Sequence, residues 1–207
     1  MVSISHAGDN TEKLEQILAE ARKCFGIHGF EHTTMSEIAA GIFLSKSSLY
    51  YYFPDKESLF KGVIEAELDE FFDHVTKRLE ELSNPEVMLK EFIRIRQEHF
   101  KDIMNMDIFR MADFHIIKPH IKDTFRHFRE RETGIIESII RKGKKSEVFV
   151  CQDPATTADL FIDILQGLRM VVMKHRDFRE LGEEDYNLME ARHLEFIHLF
   201  IKALKNN

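Results

Sequence analysis

Between Thr33 and Phe60 the chain reads TTMSEIAAGIFLSKSSLYYYFPDKESLF: a helix, a tight turn, a second short helix with three consecutive tyrosines, and a proline stop. Thr34 is placed to cap the first helix, with Glu37 three residues on to complete a capping box and Ile38 and Ala39 as its buried side. Ser45 is placed to cap the second, in which Leu49 and Phe53 stand at i, i+4 and turn inward. Lys46, Ser47, Ser48, Tyr50, Tyr51 and Tyr52 are left to face outward. Pro54 drives Phe53 out of the helical region, and Asp55 can cap the helix that follows. The pattern predicts a helix-turn-helix that reads double-stranded DNA.

These residues resemble the N-terminal domain of the TetR (tetracycline-repressor) family of bacterial transcription regulators. The resemblance starts with Phe25, Gly29 and Phe30 at the end of the first helix. It continues through Thr33-Thr34, Ile38-Ala39, Ser45-Lys46, Leu49 to Pro54 and Lys56 to Phe60, and the rest of the chain matches only in its helical pattern. Two positions depart from the family. Phe43 stands in the turn where a glycine is usual, and if the turn keeps a positive φ there the ring is strained, so either the turn is reshaped or Gly41 absorbs the bend. Ser47 replaces a glycine in the reading helix, so an operator sequence cannot be borrowed from relatives.

The remainder of the sequence supports an all-α fold. Of 207 residues 43% are apolar and 18 are Phe, ample for a core, while 4 Pro and 9 Gly leave few breaks and no window sustains the alternation of a half-buried strand. About nine helices are expected. Helix 1 runs from about Thr11 to His28 with Leu14, Ile17, Leu18, Ala21 and Phe25 inward and Gly29 at its end. Helix 4 runs from Asp55 to about Leu82, and Ser83-Asn84-Pro85 opens helix 5 with Phe92, Ile95, His99 and Ile103 inward. A short helix over Asp107 to Ile116 precedes one that Pro119 opens and the Gly143–Ser146 segment breaks. Asp153-Pro154 starts another, to about His175, and the last spans about Asn187 to Lys205. Residues 1–56 are read as the DNA-binding domain and residues 57–207 as a larger helical domain.

The first ten residues lack both a basic start and a long apolar run, so neither a secretory signal nor a membrane span is expected, and the protein is placed in the cytoplasm. Cys24, on an apolar face with Ile17, Ala21 and Phe25, reads as packing, while Cys151 falls in an expected loop where a redox-sensing thiol is conceivable. The net charge of -7 gives no basic footprint, and residues 1–60 carry five basic residues (Lys13, Arg22, Lys23, Lys46, Lys56) against eight acidic. Because a reading head needs only a local cluster of donors, modest and strongly salt-sensitive non-specific binding is expected.

The resemblance implies a repressor whose C-terminal cavity binds a small, largely apolar molecule and which dimerises through its last two long helices. Those helices carry Leu160, Ile164, Leu165, Leu168, Met170 and Val171, then Leu188, Leu194, Ile197, Phe200, Ile201 and Leu204. Independently, helix-turn-helix readers generally bind two half-sites as two-fold dimers. Carried over residue by residue, the DNA-binding set is Thr34 and Ser36 at the start of helix 2, Ser45, Lys46, Ser47, Ser48, Tyr50, Tyr51 and Tyr52 in helix 3, and Lys56 beginning helix 4. Lys46 and Lys56 are assigned to phosphates, and Ser36, Ser47, Tyr50 and Tyr51 to base edges; Tyr52 can equally brace the three-helix unit. The ligand set between helices 5 and 8 is Phe92, Ile95, Arg96, His99, Met104, Met106, Phe109, Met111, Phe114, His115, Phe161, Leu165 and Leu168. Arg96, His99 or His115 would orient a polar or acidic group, and ordinary core packing is the competing role for most of the others.

Eleven histidines raise the alternative of a helical enzyme or metal protein. His99, His115, His120 and His127 fall into no HExxH or paired i, i+4 spacing, and the two cysteines lack a CxxC partner. No Gly-rich phosphate loop and no GxSxG elbow is present, so neither a cofactor nor catalytic machinery is expected.

Overall fold

The computed structural model describes residues 5–105, 111–174 and 181–205, with the side chains of all of these except 5–9, 103–118 and 120. The expectations placed on Met104, Met106, Phe109, Met111, Phe114, His115 and His120 lie outside the described residues or side chains. Among the described residues there are eight α-helices and no strand: α1 (Ser5–His32), α2 (Met35–Gly41), α3 (Lys46–Tyr52), α4 (Lys56–Glu80), α5 (Pro85–Asn105), α6 (Met111–Lys145), α7 (Pro154–Met173) and α8 (Glu183–Lys205). The chain divides into two compact units, one of residues 1–69 and 103–124 and the other of residues 70–102 and 125–207.

In the first unit, Ile17, Ala21 and Phe25 of α1 are fully buried with Ile38, Leu49 and Leu59 of the next three helices. The rings of Phe25, Phe30 and Phe60 close on one another, edge to face at 5.0 and 5.3 Å and stacked at 5.9 Å. Leu14, expected inward, is exposed, and Leu18 is only half-buried. Gly29 interrupts α1 where the sequence stops it: its φ of 77° and ψ of 171° suit glycine alone, and a single further turn follows to His32. The capping residues act as expected. Thr34 Oγ1 accepts from the Glu37 amide (3.2 Å) while Glu37 accepts from the Thr34 amide (2.9 Å), Ser45 Oγ accepts from the Ser48 amide (3.0 Å), and Asp55 Oδ1 accepts from the Ser58 amide (2.7 Å).

The second unit has its own core, in which Phe71, Phe92, Phe149 and Phe161 are almost completely buried with Leu89, Ile136, Ile140 and Leu165. Burying a side chain of this size stabilises by roughly 1.5–3 kcal/mol. Arg129 of α6 pairs with Asp159 (2.6 Å) and Asp163 (2.9 Å) of α7, and the Val150 amide donates to the Leu204 carbonyl (2.6 Å) beside the end of α8. Asn84 caps α5 through the Glu86 amide, and Asp153 caps α7 through the Ala155 and Thr156 amides, as the two cap-plus-proline signals require.

The stretch around Pro119 departs from expectation. Instead of two helices meeting at the proline, one helix runs from Met111 to Lys145 through it, which reduces the nine expected helices to eight. An internal proline forfeits one hydrogen bond and crowds the preceding turn. Here its ring lies on the exposed side, while Ile121 and Thr124 are buried just beyond, so the helix gains more by continuing. Gly143 does not break α6 either. The chain stops two residues past Lys145 at Glu147 (φ 59°), where the Val148 amide reaches back to the Gly143 carbonyl (2.9 Å) and the Glu147 amide to Lys144 (3.2 Å), a Schellman closure. Gly143 is needed instead for closeness, because a Cβ there would stand 2.1 Å from the Phe149 ring. At the last helix, α8 begins at Glu183, a turn before the expected Asn187, with Glu183, Glu184 and Asp185 at its positive end.

Candidate nucleic-acid interface and ligand cavity

In the reading head, α2 and α3 meet in a turn closed by the Leu44 amide on the Ala39 carbonyl (2.8 Å) and the Phe43 amide on Ala40 (3.2 Å). That geometry needs a left-handed residue after the helix, and Phe43 occupies it at φ 56° while Gly41 stays helical. The turn therefore keeps the conformation glycine usually supplies, with the ring 98% exposed and nothing to compensate the strain. A left-handed non-glycine residue costs about 1–2 kcal/mol, of which glycine would give back roughly 0.5–1 in chain entropy. Phe43→Gly is accordingly expected to raise unfolding stability by up to about 1 kcal/mol, read from urea denaturation; a loss of stability would show that the ring is packed in solution.

Leu49 is completely buried and fixes the rotation of α3, so that Ser45, Lys46, Ser47, Tyr50 and Tyr51 are all exposed on its outer side; Thr34 and Ser36 of α2 are exposed as well. Tyr51 is 84% exposed and meets the half-buried Tyr52 edge to face at 5.5 Å. The Lys46 ammonium lies 5.9 Å from the Tyr50 ring, and the hydroxyls of Ser47 and the half-buried Ser48 stand 2.9 and 2.7 Å from that of Ser45. The result is a short helix with the Lys46 cation at its start, a patch of hydroxyls, and two exposed rings.

Lys56 is placed otherwise than expected. Its ammonium donates to the carbonyls of Phe30 (2.7 Å), Thr33 (3.0 Å) and Glu31 (3.2 Å) and sits 4.4 Å from the centre of the Phe30 ring. An ammonium has three donors, and all three are used to satisfy the end of α1, so Lys56 holds the head together rather than reaching for phosphate.

In the second unit the expected ligand residues separate. Phe92, Ile95, Phe161 and Leu165 are fully buried core, Leu168 is half-buried, and the His99 ring lies over Phe71 at 4.8 Å. Of the expected residues whose side chains are described, Arg96 lines a cavity of about 180 Å³ whose walls come from α5, α7 and α8. Four of its polar lining residues, Gln97, Arg169, Tyr186 and His193, were not indicated by periodicity. A signal for one of them existed: Arg169 is an ionisable residue just before the apolar run Met170 to Met173, whereas His193 stands between Arg192 and Glu195 and looks like any surface histidine.

The cavity's electrostatics are unusual for a helical core. Arg96 Nε donates to Oε1 of the completely buried Glu132 at 2.5 Å. His193 accepts from the Gln97 amide at Nδ1 (2.7 Å) and donates from Nε2 to the Leu165 carbonyl (3.2 Å), which fixes its tautomer. Burial pushes its imidazole down to about 4, with Arg96 and Arg169 adding to the effect. Both cysteines are buried: burial and the neighbouring Glu20 raise the Cys24 thiol, and Cys151 Sγ lies 3.2 Å from the Thr157 hydroxyl. Among the described residues no group of three or more His, Cys, Asp or Glu is arranged to hold a metal.

Known proteins place this geometry in context. The family described as "Bacterial regulatory proteins, tetR family" matches residues 17–63, the span from α1 into α4. The chain is 26% identical over 140 residues to the HTH-type transcriptional regulator RutR of Escherichia coli O157:H7, covering 66% of each protein. It is 38% identical over 55 residues to the HTH-type transcriptional repressor AcnR of Corynebacterium glutamicum, covering 26% of this chain and 29% of that one. It thus spans less than two thirds of the length of either curated relative. The crystal structure of a transcriptional regulator from Cytophaga hutchinsonii is similar throughout, at 34% identity and a TM-score of 0.83, covering 94% of this chain and 99% of that one.

Proposed function

The chain belongs to the TetR family of bacterial transcriptional regulators, and from that premise we propose that it is a homodimeric repressor, released from a palindromic operator when a small effector enters the cavity of its second unit. The observation that carries the DNA half of this reading is the exposed face of α3: Lys46 supplies the phosphate contact, Ser36, Ser47, Tyr50 and Tyr51 face the bases, and Thr34, Ser45 and Ser48 lie at the helix starts beside the backbone. Residues 1–56 act as the reading head and residues 57–207 as the effector-binding and dimerising part. Such a protein works in the cytoplasm, where its operator is; no described helix is long and apolar enough to cross a membrane.

Dimerisation through the last two helices is supported by the apolar residues the fold leaves open: Leu160, Met170 and Val171 on α7, and Leu188, Leu194 and Leu199 on α8, each 47–67% exposed. Leu165, Ile197, Ile201 and Leu204, by contrast, are buried within the unit and belong to its core. Patches of this kind mark association surfaces, and a self-complementary pair of helices from each copy makes a four-helix interface. Residues of α4 belong to both units, so α4 is the element through which an effector would alter the spacing of two reading heads. An effector acts only through unequal affinity for the two spacings, and DNA must weaken effector binding by the same factor.

Fluorescence anisotropy on duplexes from around the protein's own gene, at two salt concentrations and against scrambled competitor, tests the reading. Saturable, competitor-resistant and salt-weakened binding is expected. Lys46→Ala and Tyr50→Ala are each expected to weaken it by ~1–3 kcal/mol with the melting temperature nearly unchanged. Unchanged affinity in both variants would remove α3 from the role given to it.

A further inference from the structure

The cavity between α5, α7 and α8 holds more positive than negative charge. Glu132, fully buried, is the acid that faces both Arg96 and Arg169, and its Oε1 is taken by Arg96. Arg94, nearer the mouth, is already engaged by Glu91 and Glu98. Arg169 lays its guanidinium 4.8 Å from the Phe100 ring, and its Nε is buried without a hydrogen-bond partner among the described residues. A guanidinium N–H that is buried and unused is costly, and burial together with Arg96 pushes this group down to about 10. Around it stand the neutral His193, the Gln97 amide, the Tyr186 phenol, and the apolar surfaces of Phe100 and Met189.

We infer that this cavity is the binding site for a small organic monocarboxylate, its carboxylate received by Arg169 beside Arg96 and its apolar body lying against Phe100, Met189 and Tyr186. The inference rests on the effector reading above and names the chemical class of the effector. Charge decides for a monoanion: Arg94 is engaged by Glu98, Lys101 and Glu190 add one charge of each sign to the lining, and Arg96 and Arg169 against the buried Glu132 leave a single positive charge to match, which a dianion would reverse in a site where His193 adds nothing. Geometry decides for a carboxylate, since the planar guanidinium fork donates to its two oxygens side by side. Size decides for a small one. About 180 Å³ lies below the roughly 300–1,000 Å³ of pockets that take drug-sized ligands.

The experiment is thermal melting of the full-length protein, at fixed ionic strength, with millimolar benzoate or hexanoate, with the matching neutral amides, and with inorganic phosphate. A carboxylate is expected to raise the melting temperature by several degrees in a concentration-dependent way, while its amide and phosphate leave it unmoved. Arg169→Gln should abolish that response without lowering the melting temperature of the unliganded protein, and Arg169→Lys should retain a weakened one. Equal responses to acid and amide, a response to phosphate in place of the acids, no response to any carboxylate, or a full response in Arg169→Gln would each overturn the assignment. The comparison of acid with amide needs only wild-type protein, so it stands even if a variant fails to fold. Operator anisotropy in the same solutions separates the two claims. A carboxylate that binds through Arg169 yet leaves operator affinity unchanged refutes release by effector and supports the site; a neutral compound that releases DNA while carboxylates fail to bind does the reverse.

Discussion

Glu132→Ala is expected to cost about 3–5 kcal/mol of unfolding stability, the usual penalty for removing one partner of a buried ion pair. Glu132 has no exposed surface and the Arg96 side chain is 8% exposed, so water cannot take over the lost contact. The loss is larger than for a typical pair member because Glu132 also offsets Arg169, which would then face Arg96 across the cavity with no acid between them. Against a total stability of ~5–15 kcal/mol such a change moves the urea midpoint far, or unfolds the protein at 37 °C. Combining Arg96→Met with Glu132→Leu should return most of the loss, because it replaces the pair by apolar groups of similar volume rather than orphaning a charge. A cost below about 1 kcal/mol for Glu132→Ala would mean that water reaches the pair in solution.

Acid should act on the same region through His193. Its unfolded imidazole takes up a proton near the ordinary value of about 6.5, whereas the folded one resists until about 4, chiefly because it is buried and in spite of its hydrogen bond to the Leu165 carbonyl. Between those values the unfolded chain binds more protons, so stability is fully present above pH ~6.5 and falls as pH drops toward ~4. The difference corresponds to roughly 3 kcal/mol. Protonation would also convert Nδ1 from the acceptor of the Gln97 amide into a second donor facing it. The measurement is the pH dependence of urea stability in wild type minus that in His193→Gln, which cancels the surface carboxylates. Glu91, held down to about 2 by Arg94 and then Arg78, loses its contribution at still lower pH and does not confuse this window. Parallel curves for the two proteins would show that His193 is solvated or charged in the folded state.

What could be read directly from the sequence was local. Thr34 with Glu37, Ser45, Asp55, Asn84 and Asp153 all cap helices by bonds spanning two or three residues, and each signal is complete in the string of letters. The all-α class and the helix-turn-helix followed from the same signals. Effects set by distant partners were not legible. Lys56 looks like a free cation until the chain folds and brings it to the carbonyls of residues 23 to 26 positions earlier. Pro119 reads as a helix start because the rule for proline is local, while the burial of Ile121 and Thr124 that overrides it is not. Phe161 and Leu165 occupy helical positions that a cavity wall and a core would both accept, and only packing assigned them to the core. Arg169, just before an apolar run, acquires its meaning from Arg96 and Glu132, 73 and 37 positions away in the chain.

The make-up of the first unit has a consequence for how the protein is born. Its residues come from two separated stretches, 1–69 and 103–124, and Ile121 is completely buried while Thr124 donates to Glu65 (3.2 Å) across 59 positions. A ribosome therefore releases the reading head well before it releases the last residues that complete its unit. At about 5–20 residues per second several seconds separate the two stretches, during which Glu65 lacks its Thr124 partner. The regulator's order of synthesis thus delivers α3 first and completes the compact unit to which it belongs only after residue 124 has emerged.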